Sequence, residues 1–261
     1  MSVPRILIVA GSDSGGGAGI QADIKTVTLL GGFAMTAVTA LTAQNSLGVH
    51  GVHPTPPEFV RAQMAAVLDD FGADALKLGM LGNAAVIDVV ASEIAARSSG
   101  IPLVVDPVMV AKGGAPLLAD DAVAALKQRL IARATIVTPN LPEAEALTGT
   151  RDPLAAAQTL LGLGAQAVLV KGGHGAGEML EDWLVTRAGA QVFRNRRIDT
   201  PHTHGTGCTL ASAIATGLGA GMGVDAAVER GIAFVQAALR AAPGFGAGHG
   251  PLGFRTDMFP G

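Results

Sequence analysis

The chain has one cysteine (Cys208), one tryptophan and no tyrosine among its 261 residues. A lone cysteine excludes an internal disulfide framework and a cysteine-based zinc cluster. Aromatic residues make up only 3%, too few for the stacking platforms that hold single-stranded nucleic acid. Basic clusters are scarce too. Lys and Arg number 18 against 21 Asp and Glu, a net charge of −3. The densest basic stretch, Arg194, Arg196 and Arg197, is broken by Asn195, so there is no basic footprint for nucleic acid. Charge-free runs of membrane-spanning length are interrupted. Residues 26–57 and 200–224 carry glycine, histidine and threonine, and Gly31-Gly32 and Asn45 punctuate the first into short elements. The apolar start, Ile6 to Ala10, is followed by no small-residue cleavage pattern. A cytoplasmic protein with no membrane and no nucleic-acid partner is expected.

Hydrophobic residues make up 49% of the chain and charged residues 15%, ample for a core in one α/β domain spanning 1–261. Short apolar runs, many β-branched, read as buried strands: Ile6–Ala10, Met35–Thr39, Ala75–Leu78, Leu103–Asp106, Thr135–Thr138 and Ala167–Lys171. Helical periods lie between them, at about 18–30, 57–71, 83–98, 120–132, 153–163, 207–221 and 224–241. Strands alternating with helices imply parallel pairing with both sheet faces covered. Residues 182–186 and 191–195 flank a short glycine-containing loop and predict an antiparallel hairpin at one edge. Trp183 and Phe193 on that hairpin read as core or interface residues.

In open α/β sheets ligands bind beyond the carboxyl ends of the strands, and the residues there carry chemistry. Gly17-Ala18-Gly19-Ile20-Gln21-Ala22 matches half of a dinucleotide fingerprint. The acid needed about 20 residues later is absent, because no carboxylate occurs between Asp23 and Glu58. No phosphate-binding G-x-x-x-x-G-K-[ST] loop occurs either. The glycine loop reads as tight helix–sheet packing or as a pocket wall, with Asp23 available as an acceptor.

Residues 204–208, His-Gly-Thr-Gly-Cys, open a small-residue helix. Amides released by two glycines, together with the positive helix end, suit an anion gathering charge in transfer. Helix-start placement predicts a depressed thiol pKa for Cys208; a small cysteine in a helix–sheet contact is the structural alternative. Asn140 and Glu143 follow a strand with capping-box spacing. Glu143 also suits Mg²⁺, which takes few carboxylates plus phosphate oxygens, with Asp106 at a neighbouring strand end as a second acid. Lys171-Gly-Gly and Lys112-Gly-Gly each offer a cation beside permissive backbone for a polyphosphate, or a merely solvated lysine.

Together these stretches resemble the ribokinase-like superfamily and, more closely, its bacterial hydroxymethylpyrimidine/phosphomethylpyrimidine kinase family of thiamine biosynthesis. The matching segments are 10–26, 39–45, 77–81, 106–112, 138–145, 170–174 and 203–210, in order over most of the chain. The resemblance implies a three-layer α/β/α fold with a mostly parallel central sheet, ATP with Mg²⁺ as phosphoryl donor, and a homodimer. It places a pyrimidine pocket near Gln44 with Gly11, Asp23, Met80 and Val108. Gly205, Thr206, Gly207, Cys208 and Lys171 are then the catalytic set, Asn140, Lys171 and Lys112 the nucleotide contacts, and Glu143 and Asp106 the metal ligands. Much of the superfamily has an aspartate base where this sequence has Cys208. The loop after Lys112 lacks the serine expected beside that lysine. Two rival readings are a pyridoxal kinase on the same scaffold and a ligand-binding protein without turnover. A cysteine hydrolase lacks a sequence-evident His–Asn/Asp pairing.

Overall fold

The computed structural model describes residues 2–111, 114, 117–119, 121–174 and 177–256. The chain builds strands β1 (Arg5–Asp13), β2 (Phe33–Asn45), β3 (Gly48–Pro54), β4 (Ala75–Leu78), β5 (Leu103–Val105), β6 (Ile136–Val137), β7 (Ala167–Val170), β8 (Met179–Thr186) and β9 (Gly189–Arg196). Its α-helices are α1 (Gly19–Leu29), α2 (Pro57–Asp70), α3 (Ala84–Arg97), α4 (Ala122–Ala125), α5 (Leu141–Thr148), α6 (Pro153–Gly162), α7 (Thr206–Gly219) and α8 (Val224–Arg240). One sheet holds the strands in the order β3-β2-β1-β4-β5-β6-β7-β8-β9. The run from β2 to β7 is parallel, and β3, β8 and β9 pair antiparallel at the two edges.

Successive side chains of a strand point to opposite faces, and here both faces are apolar. Leu7, Val9, Leu76, Leu78, Val105 and Val168 join a core built with α2, α3, α5 and α6. Ile6, Ile8, Ala75, Val104 and Leu169 pack against α7 and α8 on the other side. This is the expected three-layer arrangement. Each fully buried Leu or Ile contributes roughly 1.5–3 kcal/mol of transfer free energy, so the central strands are the most firmly held part of the frame. Trp183 packs against the first core and Phe193 against the second.

The structure extends the reading in three places. β2 runs six residues beyond the expected segment at its far end and two before it, and it pairs with β3, a strand that the apolar pattern did not announce. β3 is half-buried at Gly48 and Val49 and exposed from His50 to Pro54, so no alternation marks it. Residues 141–148 form a short helix, α5. The segment read as a helix at 120–132 begins as α4, passes through a π turn at Leu126–Leu130 and ends in a 3₁₀ turn at Ile131–Arg133. Among the described residues, no helix is long and apolar enough to cross a membrane.

Candidate active site

The carboxyl ends of the parallel strands open into a cavity of about 540 Å³. The chain approaches it through Gly205, whose φ of +86° caps α7. A Cβ at that position would lie 1.9 Å from the Gly17 carbonyl oxygen, so only glycine lets the two loops meet. Among the described residues, no side chain caps α7. The free amides of its first turn, with the positive end of the helix, face the cavity as an anion cradle.

Lys171 follows β7 and crosses to Asp106 beyond β5, Nζ to Oδ1 at 2.9 Å, with Glu143 Oε2 at 4.0 Å. Thr138 Oγ1 donates to the same Asp106 oxygen at 3.2 Å. Burial works to strip the Lys171 proton, but Asp106 and Glu143 outweigh it and hold the ammonium charged. Glu143 completes a capping box with Asn140: each backbone N–H donates to the other's side chain, at 2.8 and 2.9 Å. Burial, opposed by Lys171 and reinforced by Asp106, pushes its carboxyl up to about 7. Glu143 is thus both a cap and a cavity wall.

Cys208 lines the same cavity, but its thiol is not depressed. Burial pushes it up to about 11, with Asp23 and Asp106 adding to the rise, against the pull of Lys77 and of the Gly19 amide. The helix-start argument fails because loss of water outweighs the dipole. At neutral pH the substrate-free pocket holds a thiol.

Gly11, Gln44, Met80, Asp106, Val108, Asn140, Glu143, Lys171 and Gly205 to Cys208 all border this one cavity. Asp23 does not. It is wholly buried under α7, where Lys77 Nζ donates to its two oxygens at 3.0 and 2.9 Å and Ser212 Oγ donates at 2.7 Å. Its acceptor capacity is spent on a core ion pair, which corrects its expected place in the substrate pocket. Lys112 lies outside the described residues.

Two neighbours escaped the sequence reading. Asp13 accepts from the amides of Gly15, Gly17 and Ala18 at 2.8, 3.1 and 2.8 Å, and from His204 Nε2 at 2.8 Å. Burial works against its charge, but His204 and the amides of Ala18 and Gly15 hold the carboxyl below its usual value. The available signal was an aspartate two residues before a triple glycine, a loop rich in unpaired amides. A second cavity, of about 240 Å³, shares Asn140, Lys171, Thr203, Thr206 and Gly207 with the first. Leu210, Ile232, Val235 and Leu239 form its apolar wall, with Arg197 and Gln236 among its polar side chains.

A doubly covered, mostly parallel sheet with an uncapped helix start, a charged lysine and two carboxylates at the strand ends defines a ribokinase-like phosphotransferase. The phosphomethylpyrimidine kinase family model matches residues 13–253, and the chain belongs to that family. It is similar to a Haemophilus influenzae hydroxymethylpyrimidine/phosphomethylpyrimidine kinase, 47% identical over 259 residues and covering 96% of each chain. Among solved structures, a Bacillus subtilis pyridoxal kinase in complex with ADP is 37% identical with a TM-score of 0.89, covering 97% of this chain and 98% of that one. A phosphomethylpyrimidine kinase from Clostridium difficile, also 37% identical, has a TM-score of 0.79 and covers 90% of this chain and 98% of that one.

Proposed function

We propose that this protein transfers the γ-phosphoryl group of ATP to 4-amino-5-hydroxymethyl-2-methylpyrimidine and then to the resulting monophosphate. The observation that carries the reading is the junction of the two cavities at Asn140, Lys171, Thr206 and Gly207. One side holds Gln44, whose amide donates and accepts and so suits an aminopyrimidine edge. Gly11, Met80 and Val108 support that side. The other side has apolar walls at Leu210, Ile232, Val235 and Leu239 for the nucleobase. A phosphoryl group passing between them crosses the α7 amides.

Catalysis in such transfer is positioning and charge neutralisation. Lys171 neutralises polyphosphate oxygens, and the amides of Thr206, Gly207 and Cys208 meet the moving group. Asn140 and Lys171 border both cavities and fix donor against acceptor. Asp106 and Glu143 fit Mg²⁺: two buried acids share one lysine and leave negative charge for a cation that needs few protein ligands. A Mg²⁺ ion held by these two acids would supply charge neutralisation for the phosphates. Cys208 accepts the alcohol proton in the first transfer through its thiolate, the minority form at neutral pH. The second acceptor, a phosphate largely ionised at pH 7, needs no such base.

The chain works as one catalytic unit over 1–261, and a homodimer is supported by apolar side chains exposed on the β2–β3 edge, Leu41, Leu47 and Val52. An unpaired cysteine suits the reducing cytoplasm. The test is ADP release with Mg-ATP, using hydroxymethylpyrimidine, its monophosphate and pyridoxal at equal low concentration. Turnover of both pyrimidines ahead of pyridoxal is expected. Pyridoxal turnover alone moves the function to that acceptor, and ATP binding with no turnover favours the binding-protein reading. Sedimentation in the same buffer checks the dimer.

A further inference from the structure

Asp13, His204 and Thr42, which the transfer described above does not use, surround Gln44 at the wall of the cavity, and the hydrogens of this cluster are over-determined. His204 Nε2 lies 2.8 Å from Asp13 Oδ2. Asp13 already accepts three amide hydrogens, the environment of an ionised carboxylate, which can only accept. His204 Nε2 therefore carries a hydrogen and donates it to Asp13. A ring nitrogen that holds a hydrogen has no lone pair left.

The Gln44 carboxamide touches that nitrogen at one end, with its Nε2 3.2 Å from His204 Nε2. At the other end its Oε1 lies 3.2 Å from Thr42 Oγ1. The Thr42 hydroxyl also lies 2.9 Å from the Ser12 carbonyl, an obligate acceptor that takes its single hydrogen. In this placement the amide sets N–H against N–H at His204 and a lone pair against a lone pair at Thr42. The two ends of a carboxamide are nearly equal in shape, so hydrogens decide the choice between them. Exchanging the ends repairs both contacts: the oxygen shares the His204 N–H, and the nitrogen donates to the Thr42 hydroxyl.

We propose that His204, anchored by Asp13, is a positioning residue that fixes the Gln44 amide with its oxygen toward the imidazole, and so sets the order of donor and acceptor shown to the acceptor ring. This rests on the functional reading above. One N–H and one lone pair of the amide remain for the ligand, in a fixed order. An aminopyrimidine offers a ring nitrogen that accepts beside an exocyclic amine that donates, and only one amide orientation meets both. A hydroxypyridine has no amine at that edge, so a freely rotating Gln44 erodes discrimination between the two.

The test compares His204→Ala and His204→Gln with the wild type, using hydroxymethylpyrimidine, pyridoxal and ATP as varied substrates. His204→Ala is expected to raise KM for the pyrimidine about tenfold, the weight of one hydrogen bond. KM for ATP should stay near wild type, and the preference ratio should move toward pyridoxal. His204→Gln keeps an N–H within reach of the same point and should recover most of the ratio. In the substrate-free protein, a ¹⁵N–¹H correlation should show a proton on His204 Nε2. An unchanged ratio in folded His204→Ala, parallel loss of ATP affinity, or an Nε2 without its proton overturns the proposal. A wild type that turns over no pyrimidine, with the Nε2 proton present, removes the functional reading and the specificity role together, while the hydrogen assignment stands.

Discussion

Two lysine–aspartate pairs sit a short distance apart, and each makes its shortest contact at 2.9 Å. Lys77 and Asp23 are sealed at 0% exposure between β4, α1 and α7, whereas Lys171 keeps 13% of its side chain open beside Asp106 at 2%. In the sealed pair Lys77 engages both Asp23 oxygens and Ser212 adds a further hydrogen bond to one of them. Burial works to lower the Lys77 pKa, but Asp23 outweighs it, with Cys208 and Asp106 adding, and the ammonium stays above its usual value. In the open pair a second carboxylate, Glu143, faces the same lysine and the cavity. The same residue types thus give a structural pair where partners close the shell and a chemical site where the shell is left incomplete.

Cutting the sealed pair should have the largest effect. Asp23→Ala strands a buried ammonium and is expected to cost about 3–5 kcal/mol. Thermal melting should show a loss of roughly 10 °C for a chain of this size. Adding Lys77→Met to Asp23→Leu should restore much of that loss, because the charge then leaves with its partner. If Asp23→Ala melts like the wild type, the two pairs do not differ in kind.

Opening the second pair should reverse the balance between stability and rate. Lys171→Met is expected to lower kcat on both pyrimidines by about 10²–10³-fold, the scale of a lost charge-stabilising donor. The melting temperature should change far less than in Asp23→Ala. Steady-state kinetics and calorimetry on the same preparation check both halves.

Cys208 lies between the two pairs and feels both. With its thiol near 11 in the empty pocket, the thiolate fraction grows about tenfold per pH unit below that value. First-transfer kcat/KM should therefore rise between pH 6.5 and 8.5, while the second transfer stays comparatively flat. Cys208→Ala should remove the slope and depress the first transfer much more than the second. Equal losses in both steps assign Cys208 to the shape of the anion cradle instead.

The smallest effect is expected on the exposed face of the β8–β9 hairpin. Arg194 and Glu181 make an exposed ion pair at 2.9 Å, with 62% and 43% of their side chains open. Solvent screening limits such pairs, and Arg194→Ala should change stability by less than about 1 kcal/mol. A larger shift in a urea midpoint would give the hairpin a role beyond closing the sheet edge.

Much of the frame was legible because burial writes itself into residue type. The core of β1 and the strands β4 to β7 are short, largely apolar runs, as two covered faces require. β3 was not legible because its exposed residues have no face to mark. α5 was hidden by its eight-residue length, although its Asn140–Glu143 cap was readable. In the site, the glycine-rich turns, Lys171, Asp106 and Cys208 could be found from their places after strands. Asp23 was misplaced because a sequence does not say where a carboxylate spends its hydrogen bonds. Lys77, the one charge in an otherwise apolar strand, was the sign that a buried acid had to exist somewhere.

The sequence alone therefore determined the alternation of strand and helix, the glycine positions where loops meet, and the residue types gathered at the strand ends, because these follow from local sterics and periodicity. Only the tertiary structure decided which lysine is sealed and which is open, whether Cys208 is a thiol or a thiolate, and that His204 stands between Asp13 and Gln44. Each of those depends on the water and charges that distant segments remove or supply once they are folded together.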